Sequence, residues 1–335
     1  NSYSPYLVFS ENREPILLSD IESCGKCLLK KTENFDDEFK KASLEYIDEE
    51  VVYLGTKSWG HGHYIISFFN RLYFMLNEKY KNKKVVFNCC SSFKGSEEYF
   101  DLINVFGIPN EQIIKVKEGC ALQFKKVIIP EPTNCHIRQP HFTHQYFSKC
   151  FHRITENIQS DYHYDKIYLT RIRQKENGVV AGKHLFGEKK IENIFRKNGF
   201  EIICPDEHSV LEQVKMYKNC KTLASISGSA GHNNVFMRDG TNNIVIARNS
   251  WLRIQAKIDE IKNINSVFIL NAGIAENING MKDDGACFMY INENFKQFLD
   301  DNNFVYTLDD LTLSLDEYVE FYGCYTKHNN NLLQF

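Results

Sequence analysis

Lys166-Ile-Tyr-Leu-Thr170, Phe200-Glu-Ile-Ile203, Thr222-Leu-Ala-Ser-Ile226 and Asn243-Ile-Val-Ile-Ala247 are short apolar runs of strand length. The segments between them carry helix signals. Glu188–Asn198 has helical periodicity and is closed by Gly199, and Ser209-Val-Leu-Glu212 has the form of a capping box opening a helix through Tyr217. A short helix is expected near Gly231–Met237. The rhythm is β-α-β-α-β-α-β, which topology rules fold into a right-handed parallel sheet with helices on both faces. In such sheets ligands sit beyond the carboxyl ends of the strands, so the polar and glycine residues at those ends carry the information.

Working towards the N-terminus, residues 59–80 place Ile65, Phe68, Phe69, Leu72 and Leu76 on one helical face and predict a buried helix. Lys84-Val-Val-Phe87, Ile113-Ile-Lys-Val116 and Val127-Ile-Ile129 read as strands, and Ser96–Phe106 as a helix stopped by Gly107 and Pro109. Three prolines within Pro130–Pro140 exclude a regular element and suggest a linker. The expected organisation is α/β: one domain over residues 1–140, to which a C-terminal helix near 314–323 returns, and a second over 141–304.

Composition narrows the partners. Forty basic against 43 acidic residues leave a net charge of −3, so no overall positive field draws the chain to nucleic acid or to an anionic membrane. The densest basic run, Lys79-Tyr-Lys-Asn-Lys-Lys84, is a solvated helix end first and a surface for anionic lipid or acidic glycan second. The 11 cysteines are scattered and read as free thiols. Cys24-Gly-Lys-Cys27 lacks a second ligand pair at a matching distance, which argues against a zinc site. No Asn-x-Ser/Thr sequon and no apolar run of about 18 residues occur, so a cytoplasmic protein is expected, at most peripheral on the inner face of the membrane.

Two constellations point to chemistry. In Ser227-Gly-Ser-Ala-Gly-His-Asn-Asn234, small residues follow a strand and lead into a helix, where exposed N–H groups and the helix dipole suit a diphosphate. A tight turn without ligand is the plain alternative. Arg171 and Arg173 stand at the end of the first strand of the same sheet, where a guanidinium can pair with phosphate oxygens; ordinary surface arginines are the alternative there. His232, inside the loop, is placed to contact a leaving group.

The stretch from Ile167-Tyr-Leu-Thr-Arg171 to Met237 resembles glycosyltransferase family 61. The family pattern falls on Arg171, Glu188, Gly199-Phe200, Pro205, Glu212-Gln213 and Gly228-Ser229…Asn233…Phe236. Two departures are Ser227, where the family has His, and Gly187, where it has Asn. The resemblance implies two Rossmann-like domains facing a cleft, the B-type architecture, and inversion at the anomeric centre. It also implies a nucleotide-sugar donor, UDP-linked, held without a metal by Arg171, Arg173 and the loop Gly228, Ser229, Ala230, Gly231, His232 and Asn233. Glu188 and the turn Pro205–Glu207 would hold the nucleoside, and Gln213 belongs to the same donor-binding set. The absence of Asp-x-Asp agrees with metal independence.

His63-Tyr64-Ile-Ile-Ser67 with Arg71 looks like the family's His-aromatic stretch, which makes His63 the candidate base and His61 the second. Relatives carry an acid where Ser67 stands, and a structural or capping histidine is the alternative at both positions. The acceptor implied is a glycan or glycolipid, in bacterial surface polysaccharide or lipopolysaccharide synthesis. A sugar-nucleotide epimerase of similar shape and a silent glycan-binding or scaffold relative are the rivals.

Overall fold

The computed structural model describes residues 43–57, 61–89, 97–117, 120–133, 145–172, 185–247, 252–270, 287–289, 291–312, 314–319 and 322. The chain forms two compact units, Asn1–Gln159 and Ser160–Phe335. Both are α/β, and every strand pair among the described residues is parallel.

The first unit holds β1 (Ser43–Lys57), β2 (Val85–Cys89), β3 (Ile113–Val116) and β4 (Cys120–Ile128) in the order β3-β2-β1-β4. β1 was not legible as a strand, because Glu45, Asp48, Glu49 and Glu50 interrupt its apolar residues. Its first half pairs with β4 and stays open to solvent, with Leu44 and Tyr46 exposed, and its second half pairs with β2 and is buried at Val51–Leu54. Lys83 and Lys84, the end of the basic run, meet Glu50 and Glu49 of β1 at 2.9 and 2.5 Å, and Lys81 meets Glu78 at 2.5 Å. That neutralises much of the run's charge.

The expected helix over 59–80 is not a regular one. A turn at His61–His63 runs into a π-helix at Tyr64–Phe68, the chain bends at 69–71, and Leu72–Leu76 continues as a 3-10 helix. Ile65, Phe68, Phe69 and Leu72 of its apolar face are nevertheless buried, whereas Leu76 at the end is exposed, and Phe68 packs on Phe87 and Phe100. α1 (Glu98–Phe106) ends where expected, because Gly107 adopts the left-handed φ of 117° that a side chain would resist.

α2 (Gln145–Asn157) buries Phe147, Cys150, Phe151 and Ile154, sets Phe151 against Phe69, and donates from Asn157 to the Val105 carbonyl at the end of α1. It therefore belongs to the first unit. The division falls at Gln159/Ser160, beyond the proline-rich stretch, rather than at 140/141.

The second unit contains β5 (Lys166–Leu169), β6 (Leu185–Phe186), α3 (Glu188–Lys197), β7 (Glu201–Ile203), α4 (Val210–Lys218), β8 (Thr222–Ile226), a 3-10 segment (Ser229–Phe236) and β9 (Asn242–Ile246). α5 (Leu252–Ile261), β10 (Asn265–Ile269), β11 (Cys287–Phe288), α6 (Glu293–Asp301) and α7 (Leu308–Leu311) follow. The main sheet runs β10-β9-β8-β5-β7, and β6 and β11 form a separate ribbon. β5, β8 and β9 are buried at successive residues, the mark of a sheet covered on both faces.

One face packs Tyr168, Ala224, Ile246 and Ile269 against Phe195 of α3 and Phe295 and Leu299 of α6. The other faces α5, whose Asp259 accepts from Asn243 and Ser266. Residues 315–319 are helical, and Glu317 lies 3.9 Å from Lys190 of α3. The segment read as returning to the first domain thus has a partner in the second unit. Among the described residues no helix is long and apolar enough to cross a membrane.

Candidate functional site

β5 lies between β7, the next strand of the main sheet in the chain, and β8, the one after that. The order of the sheet reverses at the β5/β8 pair, and loops leaving two such strands diverge to opposite faces and open a crevice at their carboxyl ends. Three strands end side by side there, since Leu169 is in register with both Ile203 and Ser225. Thr170 N–H donates to the Ile203 carbonyl at 2.9 Å, and Ser227 N–H to that of Ile246 at 2.8 Å. The residues that follow are Arg171, Pro205 and Gly228, all singled out from the sequence.

Arg171 and Gly228 are neighbours across the reversal. Gly228 has φ 158°, and a Cβ built on it would stand 3.2 Å from Arg171 Nη1, so a larger residue would push the guanidinium away. Arg171 N–H donates to Glu188 Oε1 at 2.9 Å, and the Tyr168 hydroxyl donates to the same oxygen at 3.3 Å. Glu188 is the first residue of α3 and is 1% exposed, yet its Oε2 is buried with no hydrogen-bond partner. Burial pushes its pKa up to about 7, against the opposing pull of the Arg171 amide and guanidinium. Near neutral pH the carboxyl buried behind the end of β5 is therefore poised between its two protonation states.

The loop after β8 is anchored at three successive residues. His232 Nδ1 lies 2.9 Å from Gln255 Oε1, Asn233 Nδ2 donates to Gln213 Oε1 at 3.4 Å, and Asn234 Nδ2 donates to Asp259 Oδ1. Gln213, expected to meet a ligand, commits its Nε2 to the carbonyls of Pro205 and His208 at 2.9 and 3.1 Å. It ties the turn after β7 to the loop after β8. Gly231 to Phe236 are buried, Ser229 is exposed, and Gly228 and Ala230 are partly so, which leaves three residues to meet a ligand. Pro205 is buried and Glu207 exposed in the turn after β7. Arg173 lies outside the described residues.

In the first unit His61 starts the helical turn that follows β1. Its Nδ1 is 2.7 Å from the Tyr99 hydroxyl, and the Tyr99 ring stacks on Tyr64 with centroids 3.7 Å apart. The π-helix begins at Tyr64, a geometry found disproportionately at functional sites. Of His63 and Ser67 the backbone alone is described. Arg71 is fully buried, donates from Nε to the Pro130 carbonyl at 3.0 Å and lies over the Tyr53 ring, so its part is to fasten the bend to the segment after β4. Cys24 and Cys27 lie outside the described residues, among which no three His, Cys, Asp or Glu side chains gather in a metal-binding group.

Residues 61–244, more than half of the chain, match the family profile described as Glycosyltransferase 61. The chain belongs to glycosyltransferase family 61. The matched span runs from His61 to Ile244 and takes in Arg171, Glu188 and the Gly228 loop, but stops before α5. Among solved structures, this family 61 chain is similar to the bacterial iron-containing dodecameric glycosyltransferase TibC from enterotoxigenic E. coli H10407. The two share 9% identity with a TM-score of 0.28, over 60% of this chain and 59% of that one. No curated protein matches the chain significantly. Within the family 61 site, sequence reasoning missed Gln255 and Asp259. Their spacing of four on one helix was the available signal.

Proposed function

We propose that this family 61 glycosyltransferase takes its sugar from a UDP-linked donor seated where β5 and β8 diverge, and passes it with inversion to a hydroxyl of a glycan or glycolipid. The observation that carries this is the Arg171 guanidinium, whose Nη1 stands 3.2 Å from where a Cβ on Gly228 would be, at the reversal of strand order. A guanidinium and a glycine turn opening a helical segment make a cationic, close-approach seat for two phosphates.

Catalysis there is positioning plus neutralisation of charge as the nucleoside diphosphate leaves. Arg171 and Arg173 supply the charge, and the backbone of Gly228–Ala230 supplies N–H donors. Glu188 and the Pro205–Glu207 turn, at the neighbouring strand end, take the nucleoside; the partnerless Glu188 Oε2 suits a ribose hydroxyl. The first unit takes the acceptor. His63 is the base, with His61 next to it as the alternative, and Tyr99 orients His61.

Calorimetric titration with UDP, with and without a chelator, tests the seat. Binding whose Kd moves by less than about tenfold on chelation supports it. A larger loss of affinity would transfer the neutralising role to a metal, and no binding in either buffer would remove the donor from this unit.

A further inference from the structure

β5 ends at Leu169, and the main-chain N–H groups of the three residues that follow each have a different partner. Thr170 N–H continues the ladder to the Ile203 carbonyl at 2.9 Å. Arg171 N–H goes to Glu188 Oε1 at 2.9 Å, and Ile172 N–H to the hydroxyl of Thr170 at 3.3 Å. That hydroxyl, on a side chain with no exposed surface, lies 3.0 Å from Glu192 Oε2. Only one arrangement of hydrogens satisfies this chain. Burial pushes the Glu192 carboxyl up, but hydrogen bonds from Arg196, Lys189 and Thr170 outweigh it and hold the group below its ordinary value, so at neutral pH it is ionised and can only accept. The Ile172 N–H can only donate. Thr170 Oγ1 therefore gives its hydrogen to Glu192 and a lone pair to Ile172.

Both carboxylates come from α3, four residues apart and so on one face of the helix, and they are 1% and 4% exposed. Glu188 holds the chain at Arg171, and Glu192, through Thr170, holds it one residue further on. Glu192 is itself fixed to its own helix, since Lys189 and Arg196 meet its other oxygen, Oε1, at 3.0 and 2.6 Å. The turn that carries Arg171 is thus fastened on both sides of its Cα by groups of α3.

We infer that Thr170 and Glu192 are positioning residues for donor binding, which close the turn after β5 so that the Arg171 guanidinium is aimed at the diphosphate. The role rests on the donor seat proposed above. Thr170 acts through Arg171 because its own side chain is shut off from any ligand. A guanidinium engages phosphate through a rigid fork and loses contact when its backbone shifts, whereas an ammonium on a flexible stem can re-aim itself.

That contrast supplies the test, made by titrating the full chain with UDP. Thr170→Val keeps the shape and removes the hydroxyl, and should weaken UDP about tenfold; Thr170→Ser keeps the hydroxyl and should weaken it less than about threefold. In an Arg171→Lys background the same Thr170→Val change should cost less than about threefold, because the lysine adjusts. A hydroxyl that merely stabilises the fold would cost the same in both backgrounds, and that result overturns the inference, as does wild-type affinity in Thr170→Val. Should Thr170→Val fail to fold, Glu192→Gln goes through the same cycle with the same expectations. There Lys189 and Arg196 claim the amide oxygen and turn its nitrogen to Thr170, where it competes with the Ile172 N–H. No UDP binding by the wild type, or wild-type affinity in Arg171→Ala, overturns the donor seat itself, and the positioning role with it.

Discussion

Replacing Glu188 by glutamine isolates the energetic cost of its burial. The carboxyl is 1% exposed, keeps one oxygen on the Arg171 amide and has its pKa lifted from the usual 4.5 to about 7. By proton linkage that displacement is worth about 3 kcal/mol of folding free energy. Its sign follows from which state ionises first. Below about pH 4.5 the group is protonated both folded and unfolded and contributes nothing. As the pH rises the unfolded chain ionises while the folded one resists, so stability falls until about pH 7 and is then level.

Glutamine matches the shape and does not titrate. Its carbonyl can still accept from the Arg171 amide, and its new amide, set where Oε2 has no partner, adds a pH-independent cost. Urea unfolding followed by circular dichroism, from about pH 4.5 to about pH 8, should therefore show the Glu188→Gln protein gaining on the wild type by about 3 kcal/mol across the range, whatever the offset between them. Stability curves that run parallel would refute the buried, unsatisfied carboxyl.

Arg171→Ala should leave the fold intact, because the bond to Glu188 uses the main-chain N–H, while UDP affinity falls by about 2–4 kcal/mol in titration calorimetry; an unchanged Kd would mean the guanidinium faces away from the ligand. Gly228→Ala should weaken UDP binding through the displaced guanidinium, so combining it with Arg171→Ala should add little; full additivity in the double-mutant cycle would show the two do not act together. Arg71→Leu should destabilise the first unit by about 3 kcal/mol in urea unfolding, since it strands the Pro130 carbonyl in the core, and a loss below about 1 kcal/mol would argue that the bend holds itself.

The alternation from β5 to β9 was readable because each strand is short, apolar and bounded by a helix with its own stop. Glycine and arginine marked the carboxyl ends of these strands without knowledge of the strand order. What brings them together, the reversal between β5 and β8, is a property of pairing that no local pattern contains. β1 escaped because half of it is solvent-facing and acidic, where strand signals fail. The helix over 59–80 was correct in its buried face as far as Leu72, and wrong at the exposed Leu76 and in its winding, since apolar spacing does not distinguish an α-helix from a π-turn followed by a 3-10 turn. Gln213 matched the family pattern, yet its amide holds two backbone carbonyls, and a motif alone does not say whether a residue meets a ligand or the residues that do. Gln255 and Asp259 were invisible for the complementary reason. They lie outside the recognisable stretch, and only their hydrogen bonds to the loop give them meaning.

The family match ends at Ile244, while the side chains fastening His232 and Asn234 come from α5, eight residues further along the chain and beyond. A fragment trimmed to the recognisable span would keep every residue of the motif and lose the struts that hold it. Variation along α5 can therefore retune the loop from behind, leaving its sequence untouched. A library confined to the motif would overlook that route to altered donor choice.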